Sequence, residues 1–571
     1  MDSVDQGKVR LTGVQWLIII IASIGFAFDT YELLMTPLVG VPGLAEVLQV
    51  PPNNQLVTQW MGNMLWITAL SGGVFGLIGG WLTDRLGRKT VMAGSIFVYS
   101  FSPVLAAFST TLPWFVFFRC TTFIGVCVEF VAAITWLAEV FQEKKQKEKW
   151  LGITQAFASI GGVMVTSVNA WMVTHAIDLP TLPLPEMFNG NAAWRFTLIT
   201  GLIPALPIAL MLPFVPESQV WQEKKRAGTL KRPSFAALFA PELRRVTLVT
   251  AGLSACAYGV AFGALQLTPK SVAPGLTDLA DQQKTLSPLR KDAGQINQKI
   301  NALAPDLQQA YSAVPGLREL AARRVKTRVA QRATKKIVDD GNAKPEAKEK
   351  AKARLEGLAK KMQDLETELK TLTDGKPDAK QAVIEREKYL KELADNRDQQ
   401  EPASMKVEAT GSRVQLYQEL GGLAGRIALA VLVIAAVRRR LLLRFFQVPG
   451  LALLPLTYFL LFKQSETVFS LGIALVGFVT VAQFSYFGEY LPKVFPLHLR
   501  GTGGSFATNV GGRMIGTSAA FLTTNLVAPI AFGGKDAPQV ASAAGCVGLA
   551  IVVIGLVLGS FLPEPKTDGQ D

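Results

Sequence analysis

The feature that most constrains this chain is the recurrence of uncharged apolar runs, each long enough to cross a bilayer as one helix. A hydrocarbon core of about 30 Å takes roughly 20 helical residues, and inside lipid a chain can satisfy its backbone only as helix or closed barrel. Such runs recur near 14–37, 57–82, 90–108, 113–141, 150–175 and 193–215, then near 246–267, 416–437, 445–463, 466–492, 503–530 and 541–562. They predict an all-α membrane protein of twelve transmembrane helices in two pseudo-symmetric six-helix bundles. With 49% hydrophobic and 18% charged residues, against roughly a quarter charged in soluble chains, the composition excludes a disordered chain, a disulfide scaffold and an ordinary cytosolic enzyme. Cys120, Cys127, Cys256 and Cys546 lie in apolar runs without disulfide or metal-ligand spacing, and two histidines leave little for a zinc site or a His-based triad. No metal and no cofactor is expected. The first run lacks a small-residue cleavage site behind it, so it reads as a retained helix and not a signal peptide.

The net charge of +14 marks topology, not nucleic acid. Short basic loops stay cytoplasmic. Arg85, Arg88 and Lys89 follow the second run, and Gln142–Lys149 with its four lysines follows the fourth. Seven basic residues between Lys224 and Arg245 follow the sixth, and Arg438, Arg439, Arg440 and Arg444 the eighth. The intervening stretches 42–56, 109–113 and 176–192 hold no lysine or arginine. The expectation is a multi-pass protein of the cytoplasmic (inner) membrane with both termini in the cytoplasm, its lipid partner being the bilayer.

One stretch breaks the pattern. Residues 268–415 lack Phe and Trp and carry 29 Lys and Arg against 22 Asp and Glu. Leu355, Leu358, Met362, Leu365, Leu369 and Leu372 nevertheless repeat at the spacing of a coiled-coil seam, with Ile296, Ile300, Leu303 and Leu307 as a partner seam. Gly341-Asn342 and Asp374-Gly375 read as turns. Span counting puts this helical insertion outside the cytoplasm. The domain plan is therefore an N-terminal bundle (1–215), a central cytoplasmic loop (216–245), a seventh helix (246–267), the extracytoplasmic insertion (268–415), helices eight to twelve (416–562) and a cytoplasmic tail (563–571).

The motifs agree on a family. Gly79-Gly-Trp-Leu-Thr-Asp84-Arg85-Leu-Gly87-Arg88-Lys89 closes the second run and resembles the loop signature of the major facilitator superfamily. The glycines permit a sharp turn and close helix contact. Val215-Pro-Glu217-Ser218 is similar to the Pro-Glu-Ser element of sugar porters, and the ends of the fourth and tenth runs, at Glu139 and at Glu489 through Arg500, are counterparts in the two halves. The resemblance implies that Glu139 and Glu489 pair with loop arginines at a cytoplasmic gate. Gly421 through Arg426 and Arg438–Arg440 look like a second copy of the signature without its aspartate. Gly79, Asp84, Arg85, Gly87, Arg88, Glu139, Glu217, Arg426, Glu489 and Arg500 are accordingly the gating set.

Charges inside the apolar runs need a reason, because a mid-bilayer carboxylate costs on the order of 2.5–3.5 kcal/mol even on insertion scales. Asp29 and Glu32, three apart on one helix face, resemble the Asp-x-x-Asp element of metabolite:proton symporters. Two acids this close hinder each other's ionisation. Arg119 and Glu129 lie in a stretch resembling the family's Arg-to-Glu pattern of the fourth helix, with Phe123, Cys127 and Val128 where glycine is usual. Proton coupling is expected of Asp29, Glu32 and Arg119, and substrate binding of Arg119, Glu129, Arg513, Gln155 and Asn509. Gln59, Asn63, Asn169, Gln266 and Gln483 read mainly as helix-to-helix hydrogen bonds, while Trp60, Trp66, Trp136 and Tyr258 are candidates to line a cavity. Glu419 and Arg426 can pair or serve the outer gate.

The resemblance implies a carrier that moves a small organic solute, an organic anion or a sugar, with protons by alternating access. An uncoupled carrier or drug exporter is the alternative, as is a scaffold or sensor acting through 268–415 on an envelope protein or a second copy. Nucleic acid is not an expected partner, and enzymatic activity is not expected.

Overall fold

A computed structural model describes residues 11–52, 54–141, 150, 154, 157–176, 179–185, 187–203, 205–227, 235–339, 345–434, 438–496 and 499–563. Gln155, the basic loop 142–149, the turn at 341–342 and the side chains of Asp84, Glu489 and Arg500 lie outside the described residues.

The described chain is helical, without strands. In chain order the first four helices are α1 (Gly13–Val47), α2 (Gln55–Leu86), α3 (Arg88–Ala107) and α4 (Leu112–Val140). Then come α5 (Ala158–His175), α6 (Ala193–Ile199), α7 (Ala205–Met211), α8 (Gln219–Arg226) and α9 (Arg244–Gly263). The polar stretch forms α10 (Ala280–Ala302), α11 (Ala304–Ala313), α12 (Leu317–Asp339) and α13 (Pro345–Leu372), leading into α14 (Pro377–Ile434). The remainder is α15 (Arg439–Pro455), α16 (Glu466–Val494), α17 (Arg500–Ser505), α18 (Ser518–Phe521), α19 (Ala528–Phe532) and α20 (Ala537–Gly559). Between α17 and α18 the backbone is a π-helix, Phe506–Gly516.

Polar caps open the apolar helices. Thr12 and Gln15 form a reciprocal capping box at α1, Asn54 caps α2 and Ser465 caps α16. Among the described residues, ten helical stretches are long and apolar enough to cross a membrane. Two expected runs differ. From 150–175 the described helix is α5, 18 residues long. The run 193–215 is broken into α6, a 3-10 turn at Thr200–Leu202, α7 and a second 3-10 turn at Leu212–Phe214. Prolines at 204, 207 and 213 each remove a backbone donor, which disfavours one continuous helix.

The chain divides into two compact units, one of Met1–Pro183, Gly190–Gln283 and Ser404–Asp571 and the other of Leu184–Asn189 and Lys284–Ala403. In the first, glycines set how near helices approach. A Cβ on Gly161 would stand 1.8 Å from the carbonyl oxygen of Ala27, one on Gly421 2.0 Å from that of Ala474, and one on Gly425 2.2 Å from that of Phe478. These backbones touch directly, as small residues allow in lipid.

In the second unit α12 and α13 are antiparallel, since Arg323 meets Glu368 while Gln331 donates to the Leu358 carbonyl at 3.2 Å. Leu365 and Leu369 of the expected seam are buried, but they pack mainly against Leu317, Leu320 and Ala321 of α12, with Leu307 and Val383. The partner is thus α12 and not the 296–307 stretch as a whole, because a short connection makes sequential helices antiparallel neighbours. Along its other side α12 carries Arg324, Arg328, Arg332 and Lys336, one per turn. Arg324 binds Glu387 of α14 with both forks (2.7 and 2.9 Å), and Arg328 reaches the same carboxylate at 2.7 Å. Arg332 meets Asp395 at 2.9 Å and Asp398 at 2.5 Å, and Lys336 meets Asp398 at 3.0 Å and Glu401 at 3.2 Å.

Two predictions follow from this packing. Replacing Gly161 with Ala forces a Cβ onto a carbonyl and should cost about 1–3 kcal/mol, read as a lowered melting temperature in detergent. Gly94→Ala, where nothing lies within 4 Å, should leave it unchanged. In the ladder, burial works against ionisation of Asp398, yet Arg332 and Lys336 hold its carboxyl below the ordinary range. A depressed acid stabilises above its unfolded pKa, near 3.9, and that contribution is lost as pH falls through the folded value. Protease resistance of 284–403 in the full-length protein should therefore stay level from pH 7 to about 5 and fall below about pH 4.

Candidate functional site

The first unit buries several ionisable side chains, and the structure sorts them into two groups. Arg119, on α4 and 1% exposed, faces α1. One terminal nitrogen donates to the Glu32 carbonyl at 3.0 Å and to Thr36 Oγ1 at 2.7 Å, and the other stands 3.8 Å from the Glu32 carboxylate. Glu32 itself is fully buried, its carboxylate pressed against Gly201, where a Cβ would come within 2.2 Å. One residue earlier, the Tyr31 hydroxyl bonds Thr200 Oγ1 at 2.6 Å. Glu32 and Arg119 thus form an ion pair inside the N-terminal half.

Asp29 goes elsewhere. Its carboxyl lies beside that of Glu129 on α4, and Glu129 packs on Gly25, one turn before Asp29, where a Cβ would be 2.5 Å from Oε1. Both acids are buried, and their four oxygens have no other hydrogen-bond partner among the described residues. The sequence pairing of Asp29 with Glu32 is therefore replaced by Asp29 with Glu129, and Arg119 serves Glu32. Side-by-side carboxyls can share a single proton.

The C-terminal half supplies the facing cation. Arg513 interacts electrostatically with Asp29 and lies beside Cys127 and Tyr258. It donates to Asn509 Oδ1 at 2.8 Å, and its guanidinium sits 5.5 Å from the Phe130 ring centre. Asn509 in turn donates to Ser505 Oγ at 3.0 Å. The π-helix carries both residues, a backbone form that recurs at functional sites. It comes close to α2 because Gly73 and Gly76 face it: a Cβ on Gly76 would lie 2.7 Å from Asn509 Oδ1, and one on Gly73 2.6 Å from Met514. Arg513 Nε, at 5% residue exposure, has no hydrogen-bond partner among the described residues. Tyr258 also neighbours Arg426, which interacts with Glu419.

Of the expected gating set, Arg88, Glu139 and Glu217 come together around α3 with Ser218, while Arg426 lies apart beside Glu419 and Tyr258. Arg88 clamps Glu139 with two bonds, 2.9 and 2.7 Å, and donates to the Thr83 carbonyl. Ser218 Oγ donates to the same Glu139 carboxylate at 2.5 Å, while Glu217 accepts from the backbone amides of Arg88 (2.9 Å) and Lys89 (3.1 Å) at the α3 N-terminus, where the helix dipole favours an anion. Gly87 turns there with φ +101°. Arg85 is not part of the knot and stacks over Trp81 at 5.2 Å. Gly79 packs against Val128.

The uncharged polar residues act across the halves. Asn169 donates to Ser412 at 2.8 Å, Gln415 to the Leu34 carbonyl at 3.3 Å and Trp66 to the Met514 carbonyl at 3.3 Å. Asn525 meets Asn63 at 3.1 Å, and Lys535 meets Gln59 at 3.4 Å. Gln483 bonds within its own helix, to the Val479 carbonyl. Sequence reasoning missed Glu46, which binds Arg195 at 3.3 Å and Trp194 at 2.8 Å. Its signal was the lone acid at the end of the first run.

Removing the Arg119 side chain leaves Glu32 buried without a counter-charge. Arg119→Ala should destabilise by about 3–5 kcal/mol, measured by thermal melting, and the double variant Arg119→Ala/Glu32→Ala should recover most of that loss.

Residues 17–280 match the Major Facilitator Superfamily model. The cis,cis-muconate transport protein of Acinetobacter baylyi is 26% identical over 198 residues, 34% of this chain and 44% of that protein. The sialic acid transporter NanX of Escherichia coli is 22% identical over 257 residues, 44% of this chain and 56% of the relative. The chain thus spans about half the length, or less, of these curated relatives. Among solved structures, a D-xylose-proton symporter aligns with TM-score 0.53 at 14% identity over 96% of this chain and 98% of that one. The xylose transporter XylE from E. coli, partially occluded and inward open, aligns with TM-score 0.51 at 15% identity over 98% of this chain and 100% of that one. These similarities carry the fold.

Proposed function

We propose that this chain is a member of the major facilitator superfamily and a proton-coupled carrier of a small organic solute that works by alternating access. Twelve spans with both termini in the cytoplasm and the helical insertion on the opposite side are part of this reading. The observation that carries it is the buried side-by-side pair of Asp29 and Glu129 in one half, with the buried Arg513 of the other half near enough to act electrostatically on Asp29. A shared proton on the carboxyl pair weakens its hold on Arg513, freeing the guanidinium for the solute, and loss of that proton restores the lock between halves. A small solute with an acceptor group is thereby bound more strongly when the pair is protonated. The relatives named for muconate and sialic acid, and the xylose symporters that share the fold, bracket the solute between organic anions and sugars. The knot of Arg88, Glu139, Glu217 and Ser218 holds the N-terminal half together at its basic-loop end while the halves pivot.

A proton crossing 100 mV releases about 2.3 kcal/mol, enough for some fiftyfold accumulation. The test uses proteoliposomes and labelled muconate, niacin, sialic acid and xylose. Uptake should follow an imposed pH gradient for one of these classes. Asp29→Asn should abolish gradient-driven accumulation while keeping exchange of labelled for unlabelled solute. Equal loss of both activities makes Asp29 structural or a solute ligand, and uptake by the unaltered protein that ignores the gradient removes proton coupling.

A further inference from the structure

Among the first unit's described buried acids Glu32 has its own cation, Arg119 at 3.8 Å, just as the part-buried Glu46 has Arg195 at 3.3 Å and the part-exposed Glu408 has Lys270 at 3.9 Å. Asp29, Glu129 and Glu419 remain, facing Arg513 and Arg426. The group therefore holds one carboxyl more than it has cations.

Glu419 is the member that the mechanism above does not use. It is 7% exposed and lies on the face of α14 that meets α1 and α5, at the seam between the halves. A Cβ on Gly162 of α5 would come within 2.4 Å of its Oε2 and 2.9 Å of Leu34. Its other oxygen accepts from the neutral amide of Gln418 at 3.0 Å. Ser412 and Gln415, on the same face, close the seam by neutral bonds to Asn169 and the Leu34 carbonyl.

The charged and titratable groups around Glu419 are few. Its own helix brings Arg426 two turns away, and α9 brings Tyr258, which faces Arg426. From α1 come Asp29, Tyr31 and Glu32, occupied with Glu129, Thr200 and Arg119. In the described part of α5 the one titratable side chain is His175 at its far end, bonded to the Trp171 carbonyl. On α16, Glu466 binds Arg413, and Tyr486 and Tyr490 stack on one another. Closing the seam over an ionised Glu419 would strip its water without putting a cation in contact, whereas a neutral carboxyl can be buried on an amide donor.

We propose that Glu419 is a proton-binding positioning residue of the C-terminal half, and that its protonation lets α14 close against α1 and α5. Resting on the carrier reading for its role in transport, the proposal concerns a different carboxyl and a different readout. The proton comes from water in the open seam onto a carboxylate oxygen and returns to water when the seam reopens.

The test labels Ser412→Cys with a membrane-impermeant maleimide in full-length protein in proteoliposomes. Peptide mass spectrometry quantifies the adduct relative to a second cysteine at exposed Thr181, which cancels the pH dependence of thiol reactivity. Relative labelling at 412 should be several-fold higher at pH 8 than at pH 5. Glu419→Gln should hold it low at both pH values, Glu419→Asp should keep the dependence, and Arg426→Gln should move its midpoint to higher pH. Undiminished pH dependence in Glu419→Gln overturns the proposal, as does flat labelling in the unaltered background. Should Glu419→Gln fail to fold, an unmoved midpoint in Arg426→Gln overturns it equally. The readout needs neither a solute nor an imposed gradient, so loss of gradient-driven uptake in the unaltered protein leaves it standing, and failure of the carrier reading and failure of this one are separable.

Discussion

Everything in the membrane part is organised by the expense of an unpartnered charge in hydrocarbon. The protein meets it in two ways. Glu32 with Arg119 and Glu46 with Arg195 are closed pairs within one half, so they can stay buried while the halves move. Asp29, Glu129 and Arg513 are shared between halves, so any separation of the halves must change how their charge is met. A fixed pair is part of the scaffold; a split one is where a proton or a solute can substitute for protein.

Shape makes that arrangement reachable. Arg513 reaches the N-terminal half because Gly73 and Gly76 let the π-helix approach α2 without a Cβ between them. In the widened backbone of the π-helix, Asn509 holds one arm of Arg513 while Nε has no hydrogen-bond partner among the described residues. On the other seam, Gly161 and Gly162 bring α5 onto α1 and α14. The hydrogen bonds that Asn169, Gln415, Trp66 and Asn525 donate between halves are neutral, and such bonds in membranes are modest, about 0.6 kcal/mol on average; Lys535 adds a charged donor to Gln59 at 3.4 Å.

Much of this could be read from residues in order. Length and apolarity located the helices, since a bilayer imposes one number on every span, and the signature at Gly79–Lys89 located the knot that Arg88 makes with Glu139. The run at 193–215 is helix interrupted by 3-10 turns, a detail that hydropathy does not register because it does not see what prolines do to amides. Asp29 and Glu32 were read as partners because they share a helix face; what separates them is their neighbours, Glu129 for one and Gly201 and Arg119 for the other. Spacing along a helix states which side chains can be near, and the third dimension decides which are. Likewise the heptad seam at 355–372 was visible, but its partner on α12 was hidden among lysines and arginines.

That concealment has a physical cause which also distinguishes the two units. In water, α12 sets its cations in a row one turn apart, and α14 answers with Glu387, Asp395, Asp398 and Glu401. Exposed members of such a ladder cost little to ionise, so the sequence can repeat them freely, and together they fix register where apolar side chains are scarce. The membrane interior permits no such repetition. Each charge there is placed singly, against a chosen partner and often against a glycine, which is why a few ionisable residues in apolar runs carry more functional information than the dozens in the polar stretch between them.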